Sequence, residues 1–166
     1  MHDRIRAAFS LLVLAAGLSA AATALASVAD DGATEIPLTQ VPRSVMAAVK
    51  KKFPEAKAES ATKGLDGNQP FYDVQIKVKT RNIWVTCDTQ GNILVVDREI
   101  SFQELPKPVA GAVSKKFPKA AIRGVNEIAE GSEVVYDLAL TFQGKKLIAI
   151  FEASGRFVEE SEDDGP

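Results

Sequence analysis

Two segments of the chain carry the apolar spacing of a short amphipathic helix. In each segment an apolar residue recurs at every fourth position, as in Val45, Val49 and Phe53 and again in Val109, Val113 and Phe117. A residue that precedes a proline is pushed out of the helical region, so Pro54 and Pro118 mark where the two helices end. We therefore predict two helices of about three turns each.

Alternation of apolar and polar residues follows each predicted helix. Residues 72–78 and 136–142 alternate most clearly, which is typical of a strand with one buried face. Further strands are predicted at 56–63, 82–88 and 92–99, and at 120–128, 146–152 and 156–160. Turns that contain glycine, at 88–91 and 152–155, separate the last two strands of each half.

The two halves of the chain also match residue by residue. Residues 36–95 align with residues 100–159 at a constant offset of 64 without a gap. Identical pairs include Pro42 and Pro106, Phe53 and Phe117, Tyr72 and Tyr136, Asp73 and Asp137, and Gly91 and Gly155. The sequence therefore predicts an α+β fold of two tandem repeats, 36–99 and 100–160. Each repeat is predicted to contain one helix followed by a four-stranded antiparallel sheet, and two such units can join edges into a larger sheet or pack side by side.

The two ends of the chain have the composition of segments outside a folded domain. Residues 1–26 combine basic residues, an apolar run and the triplet Ala24-Leu25-Ala26, which is the layout of a secretory signal peptide. The apolar run is also nearly long enough for an uncleaved membrane anchor, so this alternative stays open. Residues 27–35 are predicted as a linker and 161–166 as a disordered acidic tail. We expect a periplasmic or secreted protein with no stable membrane span after cleavage.

The amino-acid composition excludes several kinds of catalytic and binding site in the mature chain. The only histidine is His2, inside the predicted signal peptide, and the only cysteine is Cys87. Without histidine, a Ser-His-Asp triad, a Cys-His pair and a histidine-bearing zinc site are excluded. The 20 basic and 22 acidic residues nearly balance, so the chain lacks the basic field that nucleic acid requires. We predict a protein that is not an enzyme and has no cofactor, catalytic residue or metal site.

Acidic residues permit two further interpretations. The run at 88–92 resembles a fragment of a calcium loop, although a hairpin turn is its ordinary role between two strands. Asp73 and Asp137 are candidates for a paired acid and base. Their equivalent positions in the two repeats favour a rim or turn role instead.

The repeated motifs are similar to those of a known family. They are Val41-Pro42, Phe53-Pro54-Glu55-Ala56, Tyr72-Asp73-Val74 and Val85-Thr86-Cys87-Asp88 with Gly91, together with their partners 64 residues later. Over nearly the whole mature chain they resemble the PepSY-like, β-lactamase-inhibitor-like family, as a tandem repeat. The resemblance implies exported helix-plus-sheet units, an association with restraint of proteases, and no catalytic residues.

Strand phase predicts what lies on the side of the sheet away from the helices. If Tyr72, Val74 and Ile76 face the helix, Trp84 and Thr86 of the next strand face outward. The predicted partner-binding residues of this outer face are Trp84, Thr86, Ile148, Ile150, Gln75 and Lys77. An apolar patch with a polar rim is typical of a protein interface. The alternative is that the other repeat, a loop or a dimer mate covers this face.

These observations predict an exported, non-enzymatic protein-binding module. Its role is expected to be that of an inhibitor or regulator of an exported enzyme such as a peptidase. One alternative is a self-associating structural or envelope-stress protein, for which a homodimer is expected. Another alternative is a small-ligand or calcium-binding protein.

Overall fold

The computed structural model describes residues 33–163 of the chain. Within this range nine strands form one antiparallel sheet, in which every strand pairs with its neighbours in the chain. The strands are β1 (Thr34–Ile36), β2 (Lys57–Asp66), β3 (Gln69–Val78), β4 (Arg81–Asp88), β5 (Ile93–Glu99), β6 (Ala121–Glu130), β7 (Glu133–Phe142), β8 (Lys145–Glu152) and β9 (Phe157–Glu162). The helices are α1 (Arg43–Lys52) and α2 (Lys107–Lys116), and each follows a short 3-10 turn.

Prolines set the bounds of both helices. Pro42 and Pro106 directly precede the first helical residue, where the N–H group that proline lacks has no helical partner to lose. The helices end before Phe53 and Phe117, and each of these residues is followed by a proline. The buried residues are Val45 and Val49 in α1 and Val109 and Val113 in α2, as the spacing predicts.

The predicted fold class is wrong in its arrangement of the strands. The sequence pattern predicts two tandem repeats that each have a four-stranded sheet, whereas the structure is mostly β and has one sheet of nine strands. The cause is the pairing of β5 with β6, in which Val95 lies opposite Glu130 and Glu99 lies opposite Asn126. An unpaired edge strand exposes a row of backbone N–H and C=O groups, and this pairing satisfies two such edges. Side-chain alternation does not predict the pairing of β5 with β6, because alternation specifies only the face on which each residue lies.

The sheet also includes residues of the predicted linker and tail. At one edge, β1 begins at Thr34, inside the segment 27–35. At the other edge, β9 extends to Glu162, inside the segment 161–166. The carboxylates of β9 discourage pairing with a further strand, because they would repel another acidic edge. The predicted signal peptide, residues 1–26, lies outside the described residues.

Both helices pack on the same face of the sheet. The largest buried residues are Val45, Val74, Ile76 and Val85 in the cluster around α1, and Val109, Leu138, Leu140 and Phe151 in the cluster around α2. Cross-strand partners point to the same side of a sheet. The register from Val74 of β3 to Val134 of β7 therefore places both clusters on one face. Neither helix of the described range lies on the opposite face.

Two tight turns of the sheet contact the first turns of the helices. Gly91 has a φ of +87° and Gly155 a φ of +85°, which is backbone that favours glycine. A Cβ atom at either position would lie 2.6 Å from a helix carbonyl oxygen, that of Ser44 or that of Pro108. The Ser44 hydroxyl also donates a 2.9 Å hydrogen bond to the carbonyl oxygen of Thr89. Each helix is thus fixed to the sheet at its first turn.

Gly91→Ala is expected to lower the free energy of unfolding by about 2–4 kcal/mol, because strained backbone and a clash with the α1 backbone add together. Gly67→Ala is the matched control, since Gly67 also has a positive φ, +59°, but a Cβ atom there meets nothing within 4 Å. The control should lose only about 1 kcal/mol. Urea unfolding measures both values, and equal losses would show that this turn does not hold the helix.

Candidate protein-binding face

The six predicted partner-binding residues lie on the face of the sheet opposite α1 and α2. They form two groups, Gln75, Lys77, Trp84 and Thr86 on β3 and β4, and Ile148 and Ile150 on β8. Gln75 lies opposite Trp84 in the first group, and Ile150 lies opposite Asp137 of β7 in the second. The strands have the phase that the sequence predicts, and the binding role of these residues stays a prediction.

A row of cross-strand partners connects the two groups. It starts at Trp84 and continues through Asp97, Ile128 and Val135. Asp137 lies two residues beyond Val135 on β7, so it points to the same side and brings in its partner Ile150. The two groups therefore share one face, which we call the outer face.

The six residues differ in how much surface they offer to a partner. Thr86 is 6% exposed and Ile150 is 5% exposed, so both belong to the floor of the outer face. The other four are exposed or half-buried. A partner would contact these four directly and lie above the two buried ones.

The floor contains further apolar residues that the sequence analysis misses. They are Phe71, Ile128, Val135 and Ala139, which are buried but belong to neither apolar cluster around the helices. Residues 135 and 139 alternate with the inward residues 136, 138 and 140, so strand phase alone places them outward. β7 is apolar on both of its faces. Its composition therefore does not distinguish the residues that face the helices from those that form the floor of the outer face.

Two buried carboxyl groups lie on the outer face. Asp97 of β5 and Asp137 of β7 are each 4% exposed. Burial raises the pKa of Asp97 to about 7, and the negative charge of Asp137 adds to the effect. Burial raises the pKa of Asp137 to about 6, with a further contribution from Asp163. The repeated sequence pattern favours a rim or turn position for Asp137, whereas the structure places it in the floor.

Asp73, the residue 64 positions before Asp137, has a different environment. It lies opposite Thr86 and accepts a short hydrogen bond from the Thr86 hydroxyl. Three strands separate β3 from β7, a distance of about 19 Å at the usual strand spacing. Paired catalytic carboxyl groups in glycosidases lie roughly 5–10 Å apart. The two aspartates are therefore not placed as an acid and base pair.

One ion pair spans several strands near the β9 edge of the sheet. Arg123, in the bulge of β6, lies 2.6 Å from Asp163, which directly follows β9. β6 and β9 are three strand spacings apart, about 14 Å in a flat sheet. The ion pair therefore bridges the two strands that lie between β6 and β9. Asp163 also contributes to the raised pKa of Asp137.

Other candidate reactive groups lie away from the outer face or are already engaged. Cys87 is fully buried beside α1, and burial raises the pKa of its thiol to about 11, so the reactive thiolate does not form at neutral pH. The Asp88 carboxylate accepts hydrogen bonds from the backbone N–H groups of Gln90 and Asn92, which favours a hairpin turn over a calcium loop.

Residues 33–163 offer neither a metal site nor a membrane-spanning helix. This range contains no group of three or more His, Cys, Asp or Glu side chains placed to hold a metal ion. None of its helices combines the length and the apolar character needed to cross a membrane.

No protein-family model matches the chain, and no curated protein matches it. Solved structures from Bacteroides are similar to it. A DUF2874 family protein from Bacteroides uniformis has a TM-score of 0.60 at 17% identity, over 73% of this chain and 88% of that chain. A Bacteroides eggerthii protein, provisionally described as periplasmic, has a TM-score of 0.62 at 16% identity, over 74% of this chain and 88% of that chain. A BLIP-like (β-lactamase-inhibitor-like) protein from Bacteroides fragilis has a TM-score of 0.59 at 22% identity, over 79% of this chain and 93% of that chain.

At these identities the likeness concerns the fold. It supports the β-lactamase-inhibitor-like part of the resemblance, whereas membership of the PepSY-like family and the tandem repeat stay predictions. The predicted location, periplasmic or secreted, agrees with the description of the Bacteroides eggerthii protein.

Asp137→Asn is expected to raise the free energy of unfolding at pH 8 by about 1 kcal/mol or more. At pH 4 the substitution should change the free energy of unfolding little. The folded pKa of Asp137, about 6, lies above the value of about 4 in an unfolded chain. The unfolded state therefore releases its proton first, and the wild type loses stability as the pH rises from about 4 to about 6. Above that range the loss stays constant.

Urea unfolding between pH 4 and pH 8 measures this difference. Glu55→Gln is the control, because Glu55 is an exposed acid outside the sheet. It should leave the pH profile of the wild type unchanged. Parallel profiles for Asp137→Asn and the wild type would contradict the assignment of a raised pKa to Asp137.

Proposed function

We propose that the mature protein is an exported, non-enzymatic protein-binding module that holds its partner on the outer face of the sheet. The observation that carries this proposal is the difference between the two faces. α1 and α2 cover one face, whereas the other has an apolar floor, the half-buried Trp84 and a polar rim. A patch of this composition is the usual anatomy of an interface core.

The outer face is large enough for a stable protein interface. Nine strands at the usual spacing are about 38 Å wide, and a strand of ten residues is about 33 Å long. A standard interface buries about 800 Å² on each partner. The outer face as a whole exceeds this area.

Trp84 is the residue from which we expect the largest share of the binding energy. It lies on β4 between Gln75 of β3 and Asp97 of β5. Its indole offers a large apolar surface together with an N–H donor, and such residues dominate binding when polar neighbours shield them from water. Gln75 and Lys77 supply part of that polar surrounding.

The partner that we propose is an exported enzyme such as a peptidase, which the protein would inhibit or regulate. The BLIP-like fold neighbour supports an enzyme partner in general. The resemblance of the repeated motifs to the PepSY-like family supports a peptidase. Export, for which residues 1–26 are the predicted signal, would bring the module and its target into one compartment.

Trp84→Ala is expected to reduce capture of the partner at least tenfold without unfolding the protein, because loss of a central tryptophan contact costs about 2 kcal/mol or more. The immobilised mature chain, residues 27–166, is exposed to the exported proteins of its host, and the bound protein is identified and quantified. Leu65→Ala is the matched control, since Leu65 is an apolar residue that is 49% exposed and lies on the other face of β2.

Two outcomes would change the proposal. Undiminished capture by Trp84→Ala would remove the outer face as the binding site. Recovery of the protein alone, with a concentration-dependent dimer in sedimentation, would replace partner binding by self-association.

A further inference from the structure

We propose that the outer face recognises an arginine-bearing polypeptide segment, whose guanidinium group pairs with the carboxylate of Asp137. This inference rests on the proposed function and specifies the chemistry of the partner.

The first observation is that Asp137 is buried without a donor of its own. Within residues 33–163, no side chain or backbone group donates a hydrogen bond to its carboxyl group, although this residue is only 4% exposed. Its cross-strand neighbours are Asn126 and Ile150. A buried polar group without a hydrogen-bond partner carries a free-energy cost, which is larger when the group is charged. A cation supplied by a bound protein would offset this cost.

The second observation is the contrast with Asp73, 64 positions earlier. Asp73 lies opposite Thr86, whose hydroxyl donates a hydrogen bond to it. The residue 64 positions after Thr86 is Ile150, which lies opposite Asp137 and has no donor. The second half of the chain therefore keeps the acid and lacks the group that satisfies it. The architecture of the sheet does not require an acid without a hydrogen-bond donor at this position, because in the first half of the chain Thr86 donates to Asp73.

The third observation is the sign of the charge on the outer face. Three aspartates of this face, Asp73, Asp97 and Asp137, lie inside their strands, whereas Glu99, Glu130 and Glu133 lie at strand ends. The lysines of the face, Lys57, Lys77 and Lys146, also lie at or near strand ends, and Arg123 is paired with Asp163. The centre of the face therefore favours a cationic partner over an anionic one.

The surroundings of Asp137 favour arginine over lysine. Val135 and Ile150 flank the carboxyl group with apolar surface. A guanidinium group is less strongly hydrated than an ammonium group and can donate to both carboxylate oxygens at once. The methylene stem of arginine can also pack on apolar surface such as that of Ile150.

The experiment uses the mature chain, residues 27–166, and three fluorescein-labelled decapeptides. One alternates arginine with leucine, and the others carry lysine or glutamate in place of arginine. Fluorescence anisotropy measures their affinities. We expect the arginine peptide to bind more tightly than the lysine peptide and at least tenfold more tightly than the glutamate peptide. Its affinity should fall as salt is added, because ions screen the attraction.

Two variants test the role of Asp137 itself. Asp137→Asn should weaken binding of the arginine peptide at least tenfold. Ile150→Thr should weaken it as well, because the new hydroxyl supplies Asp137 with the donor that Thr86 gives to Asp73. Glu55→Gln, which removes an exposed acid elsewhere, should leave the affinity unchanged. Circular dichroism checks that each variant is folded.

The results separate this inference from the proposed function. Equal affinity of the wild type and Asp137→Asn for the arginine peptide would overturn the inference, and so would equal affinity for the arginine and glutamate peptides. If Trp84→Ala abolishes partner capture while Asp137→Asn leaves it intact, the protein-binding function stands and the arginine contact fails. If capture is independent of Trp84, the proposed function fails first.

Discussion

The pairing of β5 with β6 is the contact on which the rest of the structure depends. In this pairing Val96 lies opposite Ala129, and Asp97 lies opposite Ile128. Since cross-strand partners share a face, this register places α1 and α2 on the same side of the sheet and leaves the other side to the residues around Trp84. A slip of one residue would turn one half of the sheet over. The outer face would then lose its continuity.

Local signals predict the helices and the strand phase, because both depend on residues close together in the chain. Pro42, Pro54 and the spacing of Val45 and Val49 are sufficient for α1. The single sheet is not predictable in this way, because strand pairing is a choice between edges that alternation does not describe. Asp137 is misplaced for a related reason. Its motif matches that of Asp73, but its burial depends on neighbours from other strands, such as Ile150 of β8.

The two faces of the sheet contribute differently to stability. On the helix side, Phe151 makes edge-to-face contacts with Phe117 and Phe157 inside the hydrophobic cluster around α2. On the outer face, Asp97 and Asp137 are buried acids whose ionised forms oppose folding. Natural proteins retain such unfavourable groups mainly where a function requires them. The helix side therefore supplies the apolar packing that stabilises the fold, whereas these two acids lower the stability when they are ionised.

The two halves contribute different groups to the outer face, and their separation restricts the shape of a partner. Positions 84 and 148 differ by the offset of 64, yet one holds tryptophan and the other isoleucine. Three strand spacings, about 14 Å, separate Trp84 on β4 from Asp137 on β7. An extended peptide crosses this distance in about four or five residues. A single side chain does not reach both groups, so the geometry favours a partner segment that lies across the strands, with one residue on the indole and an arginine at the buried carboxylate.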